Sequence, residues 1–249
     1  SLLNQIRENC ATDATLRELN RRYILNFKPA GESDYIRLTT HNYQAQAAND
    51  RELAAPPGAE YAFEAEVEGT FPETSYPADK RLVLKQGAQV MFIKNDPERR
   101  FFNGMIGEVV SVDGENIIVK GKSGAESFNL EKAEWTNSKY TLDNVSKEIR
   151  ETVEGVFRQY PLRLAWAITI HKSQGLTFDH AIIDASHSFA HGQTYVALSR
   201  CRTLDGIVLS APLQREAIIS DDVVDTYISG MDGGKPTAEA LTELQRGHG

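Results

Sequence analysis

The stretch from Ala165 to Phe178 is the strongest constraint on how this chain folds. Ala165 to Ile170 is apolar apart from Thr169, and it breaks abruptly into His171, Lys172, Ser173, Gln174 and Gly175. An apolar run that ends in polar and glycine residues predicts a buried strand opening into a loop. Downstream, Ala181 to Asp184 reads as a short buried strand, Gln193 to Arg200 as a helix, and Gly206 to Leu209 as another strand. Strands alternating with helices predict an α/β fold built on a parallel, doubly wound sheet. The polar loop then lies at the carboxyl edge of that sheet, where open α/β folds bind ligands.

Upstream, Leu2, Leu3 and Ile6 mark one helical stripe, and Thr12-Asp13 a new start. Thr15 to Glu18 has capping-box spacing, with Leu16, Leu19 and Ile24 continuing the helical period. Tyr35 to Thr40 reads as a strand, and Asn42 as the cap of a helix from Gln44 to Leu53. Ala54, Ala55, Pro56, Pro57 and Gly58 stop that helix. From Tyr61 the pattern changes to short strands, with Asn103-Gly104 and Asp113-Gly114 favouring hairpin turns between them. Several short strands at regular spacing predict a small β-barrel inserted into the α/β pattern. Lys139 to Tyr160 fits a charged helix or an edge strand equally well, and Pro161 ends it either way. The expected organisation is an α/β part over 1–60, a β-rich insert over 61–138, the rest of the α/β part over 139–229, and a flexible tail over 230–249. Asp221-Asp222 reads as a helix cap before Val223-Val224.

A net charge of −8 argues against a surface that is basic throughout. Between Arg158 and Arg202, however, five cations (Arg158, Arg163, Lys172, Arg200, Arg202) face only Asp179 and Asp184, which fits a confined phosphate site. Cys10 and Cys201 are too few and too far apart for a disulfide framework, so a reduced, cytoplasmic setting is expected. No apolar run approaches the ~20 residues that span a bilayer, and a membrane is not an expected partner. His180, His187 and His191 match no metal-binding spacing, so no metal ligands are assigned. No GxxxxGK[ST] phosphate loop occurs anywhere in the chain.

The chemistry of the loop itself is anion-compatible. Thr169, Ser173 and Thr177 carry hydroxyls, His171 an imidazole and Lys172 a cation, while Gly175 allows backbone N–H groups close to a phosphate. None of these reads a base edge, so the expected contact is with nucleic-acid backbone, without sequence preference. A polar loop with a solvated lysine is the plainer alternative. On a continuous helix Arg200 shares a face with Gln193 and Ala197, where a guanidinium can reach across an interface to a phosphoryl group. The plainer alternative there is an arginine favoured by the helix C-terminal dipole.

Thr169 to Thr177 and Tyr195 to Arg200 resemble, in that order, motifs V and VI of superfamily 1 helicases of the RecD/Pif-like branch. Gln159 to Ala167 resembles the approach to motif V, Leu38 to Asn42 with Asn49 the motif IV region, and Leu84 to Met91 with Asn103 to Gly107 the branch's β-insert. The resemblance implies the C-terminal half of an ATP-dependent 5′–3′ DNA helicase involved in repair and recombination. Its fold would be a RecA-like doubly wound sheet with an inserted Src-homology-3-like barrel. Arg200 would be the catalytic arginine finger, with Gln174 and Gly175 also on the nucleotide side. Thr39, Asn42, Thr169, His171, Lys172 and Ser173 would hold single-stranded DNA. ATP with Mg would be bound mainly by the protein's own N-terminal RecA-like domain, so these residues alone are expected not to hydrolyse it. The alternative is a nucleic-acid-binding β-barrel module without nucleotide chemistry.

Overall fold

The computed structural model describes residues 2–30, 34–122, 126–142, 149–184 and 191–218. The expected tail over 230–249, the Asp221-Asp222 cap, His187 and the side chain of His191 lie outside the described residues.

Two helices open the chain, α1 (Leu2–Arg7) and α2 (Asp13–Asn20). The capping box sits one turn earlier than Thr15–Glu18. Thr12 is the N-cap and exchanges hydrogen bonds with Thr15 through side chains and backbone. The next two elements are β1 (Ile36–Thr39) and α3 (Asn42–Ala54). His41, not Asn42, occupies the N-cap of α3, and its N–H donates to Gln44 Oε1 at 3.2 Å. That leaves the Asn42 side chain exposed on the first turn.

The β-rich block comprises β2 (Tyr61–Glu64), β3 (Glu66–Gly69), β4 (Arg81–Leu84), β5 (Gln89–Phe92), β6 (Ile106–Val112), β7 (Ile117–Gly121), β8 (Ser127–Asn129), β9 (Ala133–Leu142), β10 (Ile149–Gln159) and β11 (Leu162–Leu164). The described parts of the ambiguous segment, 139–142 and 149–159, are strand, and β10 pairs antiparallel with both β9 and β3. The expected boundary at residue 138 falls inside β9, and strand pairing carries the block on to Leu164, where β11 pairs with β5. The main sheet of the block has the order β11-β5-β6-β7-β8. Its core holds Val90, Phe92, Phe101, Val109, Ile117, Val119 and Leu162.

The chain returns to α/β with β12 (Ala167–Thr169), β13 (Ala181–Ile183), α4 (His191–Leu198) and β14 (Ile207–Leu209). These strands and β1 make a sheet of order β12-β1-β13-β14, parallel at every junction. All four strands are buried or nearly so, as the near-continuous apolar runs require. The sheet core takes in Ile36, Leu38, Ile168, Ile183, Ile207 and Leu209, and Met91 of β5 joins the same cluster. Gln89 ties the block down further, donating to the carbonyls of Tyr35 and Ala165 at 2.9 and 2.8 Å.

β12 is an edge strand, so its outer backbone groups need partners. Asn49 of α3 supplies them. Its Nδ2 donates to Ala167 O at 2.9 Å and its Oδ1 accepts from Ala167 N at 2.8 Å, both buried. Asn49→Ala leaves a buried donor and a buried acceptor unpaired and is expected to cost roughly 2–4 kcal/mol. A denaturant titration checks this, and a loss below about 1 kcal/mol would mean that water replaces the amide.

Candidate nucleic-acid and phosphate site

The loop after β12 is built by its own side chains. Thr169 Oγ1 accepts from Lys172 N at 3.2 Å, and Ser173 Oγ donates to Ile170 O at 2.7 Å. Ser173 N donates to Thr169 O at 3.0 Å, winding the segment into a helical turn. A second turn follows, in which Leu176 N donates to Ser173 O at 3.0 Å. Gly175 has φ +79° in that turn, as the third residue of a type II turn demands.

Three residues expected to hold DNA are buried, although Thr169 still borders a cleft beside β12. Thr39, Thr169 and Ser173 are all buried, and their hydroxyls are engaged within the protein, Thr39 Oγ1 donating to His41 O. They shape the loop, while His171 and Lys172 face solvent. Gln174 and Gly175 are also exposed, on the turn itself.

Lys172 lines a cleft of about 360 Å³ between α3, β12 and the end of the β-rich block. The cleft also holds Asn42, Tyr43, Gln46, Asn49, Arg163 and Thr169. Of these, Tyr43 and Gln46 escaped the sequence reading, and Arg163 entered it only as one of the five local cations. The spacing Asn42, Ala45, Gln46, Asn49 is the available signal, since it puts all four on one helix face. Arg163 donates from Nη2 to Pro77 O at 3.3 Å, and its Nε is buried without a partner. Burial lowers the pKa of that guanidinium, while Asp79 works in the opposite direction.

The local excess of cations is narrower than the sequence suggests. Arg158 is ion-paired with Glu68 and Glu134 at the base of the β9–β10 hairpin, and Arg202 with Asp179 at 3.3 Å. Among the described residues Lys172, Arg163 and Arg200 make no ion pair, although Asp79 also lines the cleft and offsets part of the Arg163 charge. His180 pairs through Nδ1 with Asp34 at 2.7 Å, and no group of three or more His, Cys, Asp or Glu side chains that could hold a metal occurs among the described residues. Burial pushes the Cys201 thiol up to about 12, which makes it a poor nucleophile.

Arg200 differs from its expected setting. Helix α4 ends at Leu198, so Arg200 sits on the following turn rather than on the helix. There it folds back on the loop. Nε donates to Val196 O at 3.0 Å, Nη1 to Leu176 O at 3.2 Å and Ser173 O at 3.4 Å, and Nη2 to Ser199 Oγ at 3.0 Å. The loop thus carries Lys172 toward the cleft and presents the carbonyls of Ser173 and Leu176 to Arg200.

Residues 164–208 match the model of the UvrD-like helicase C-terminal domain. Over 197 residues the chain is 36% identical to the ATP-dependent DNA helicase Pif1 of Bdellovibrio bacteriovorus, covering 77% of this chain and 42% of that protein. Among solved structures, Bacteroides sp. Pif1 in complex with ADP-AlF4 superposes with a TM-score of 0.82 at 37% identity, over 95% of this chain and 55% of that one. Bacteroides Pif1 bound to ssDNA does so with a TM-score of 0.66 at 37% identity and the same coverage. The chain spans less than half the length of the Bdellovibrio relative and about half of the solved chains.

Proposed function

We propose a function from one premise: the chain belongs to the Pif1-like branch of superfamily 1 helicases, to whose C-terminal half it corresponds. It acts as the second motor domain of an ATP-dependent 5′–3′ DNA helicase. The cleft beside β12 takes the backbone of single-stranded DNA, with Lys172, Asn42 and His171 as contacts and Arg163 supplying positive potential from below. Arg200 is the arginine finger, aimed at ATP with Mg that is held mainly by an N-terminal RecA-like domain. The β-rich block forms a Src-homology-3-like barrel beside the DNA path.

The observation that carries this reading is the double use of one loop. Lys172 belongs to the cleft and the adjacent Ser173–Leu176 turn holds Arg200, so one loop serves both ligands through two successive turns. ATP, when bound, supplies a γ-phosphate whose charge grows in phosphoryl transfer. Arg200 and the exposed Gln174 are the groups here that fit such a phosphate. None of the groups that accept from Arg200 is a carboxylate, so Mg is assigned to the other domain. In the alternative, a binding module without nucleotide chemistry, Arg200 would serve only to pin this loop.

Fluorescence anisotropy of the 249-residue chain with a labelled oligo-dT strand tests the DNA assignment. Binding is expected to weaken as salt rises, with a slope near −0.7 per phosphate neutralised, and to be indifferent to base sequence. Binding that persists unchanged at high salt would contradict it.

A further inference from the structure

We propose that the Asn103–Gly104 turn of the β-rich block positions Arg200, and that Leu176 is the link between them. The turn is firmly held. Gly104 N donates to Phe92 O at 2.8 Å, Asn103 N to Asn95 Oδ1 at 2.8 Å, and Met105 N to Phe102 O at 3.0 Å. On either side of it Ile93 and Ile106 pack against the core of the parallel sheet, so the turn is fixed relative to that sheet.

Gly104 meets Leu176 directly. It has φ +92°, and a Cβ placed on it would lie 3.0 Å from Leu176 Cδ2 and 3.6 Å from both Cβ and Cγ. That face of the turn is therefore moulded to one leucine side chain. Leu176 in turn sets two of the four contacts of Arg200. Its carbonyl accepts from Nη1, and its N–H holds Ser173 O, the other Nη1 acceptor. The path from the β-rich block to the guanidinium is thus three residues long. Lys172 lies on the preceding turn, whose shape is set by Thr169 and Ser173. A disturbance at Gly104 is therefore expected to reach Arg200 and spare the cleft.

This proposal rests on Arg200 acting on ATP, and the test separates the two ideas. Gly104→Ala, Leu176→Ala and the double variant form a double-mutant cycle in a polypeptide that also carries the P-loop domain. Gly104→Ala crowds Leu176. Leu176→Ala withdraws the link without touching a strained backbone, and Leu176→Met restores its bulk. Each alanine variant is expected to lower kcat for ATP about fivefold with the Kd for single-stranded DNA unchanged, and the double variant to deviate from additivity by at least about threefold. Leu176→Met is expected to recover the wild-type kcat. In the 249-residue chain, NMR hydrogen exchange at the Arg200 Nε–H is expected to quicken in both single variants. Strict additivity, a parallel loss of DNA affinity, or unchanged exchange at Nε would overturn the proposal. If Arg200→Ala leaves hydrolysis intact, the finger assignment fails, while the exchange measurement still decides whether Gly104 reaches Arg200.

Discussion

Arg200→Ala, in a polypeptide that joins these residues to the P-loop domain, is expected to lower DNA-stimulated ATP hydrolysis by roughly 10³-fold or more. The expectation follows from what a guanidinium does at a transferring phosphoryl group. Its planar fork stabilises charge that spreads over the equatorial oxygens, and the effect appears in kcat rather than in nucleotide affinity. In this structure the guanidinium is held by the carbonyls of Val196, Leu176 and Ser173, and reaching a phosphate exchanges part of these contacts for bonds to its oxygens. Arg200→Lys keeps the charge, loses the fork, and should recover little. Single-turnover hydrolysis measures the effect, and DNA binding by the same variant serves as the control. Equal losses in both would mean that Arg200 is a structural pin for the loop.

Charge reversal at Lys172 is the second large effect. Lys172→Glu is expected to weaken binding to single-stranded DNA by about tenfold or more near 0.1 M salt, since it replaces a phosphate attraction by a repulsion. The loss should shrink as salt rises, and the slope of log affinity against log salt should fall by about 0.7 for the contact removed. The fold should be unaffected, because Lys172 is exposed and only its backbone N–H serves the loop. A tenfold loss that does not depend on salt would point to a distorted cleft instead of a lost phosphate contact.

The parallel sheet was legible because its strands are buried on both faces and read as short apolar runs, Ala181 to Ile183 above all. The motif loop was legible because Gly175 and the hydroxyl, imidazole and ammonium groups interrupt such a run. The β9–β10 hairpin was not legible. Residues 149–154 are exposed on both faces, so burial imposes no period-two pattern, and strand pairing alone decides their conformation. Nor did sequence reveal the direction of the hydroxyls. Thr39, Thr169 and Ser173 were expected to hold DNA, yet each hydroxyl bonds a local backbone group and is buried in doing so. Arg200 is the subtler case. Helical continuation placed it on an open face, but the helix stops at Leu198 and the chain turns it back onto a loop 24 to 27 residues away in sequence. Tyr43 and Gln46 escaped because their place depends on α3 lying beside β12, a contact that Asn49 fixes across 118 residues.

The central claim is that these residues grip DNA and deliver Arg200 to a nucleotide held mainly elsewhere. Steady-state ATP hydrolysis by the purified 249-residue chain, with saturating single-stranded DNA and Mg, tests it most directly. The expected result is no turnover above the buffer rate, with turnover appearing once the P-loop domain is joined to the chain. Robust hydrolysis by the 249 residues alone, abolished by Arg200→Ala, would contradict the claim, because it would require a complete nucleotide site within these residues.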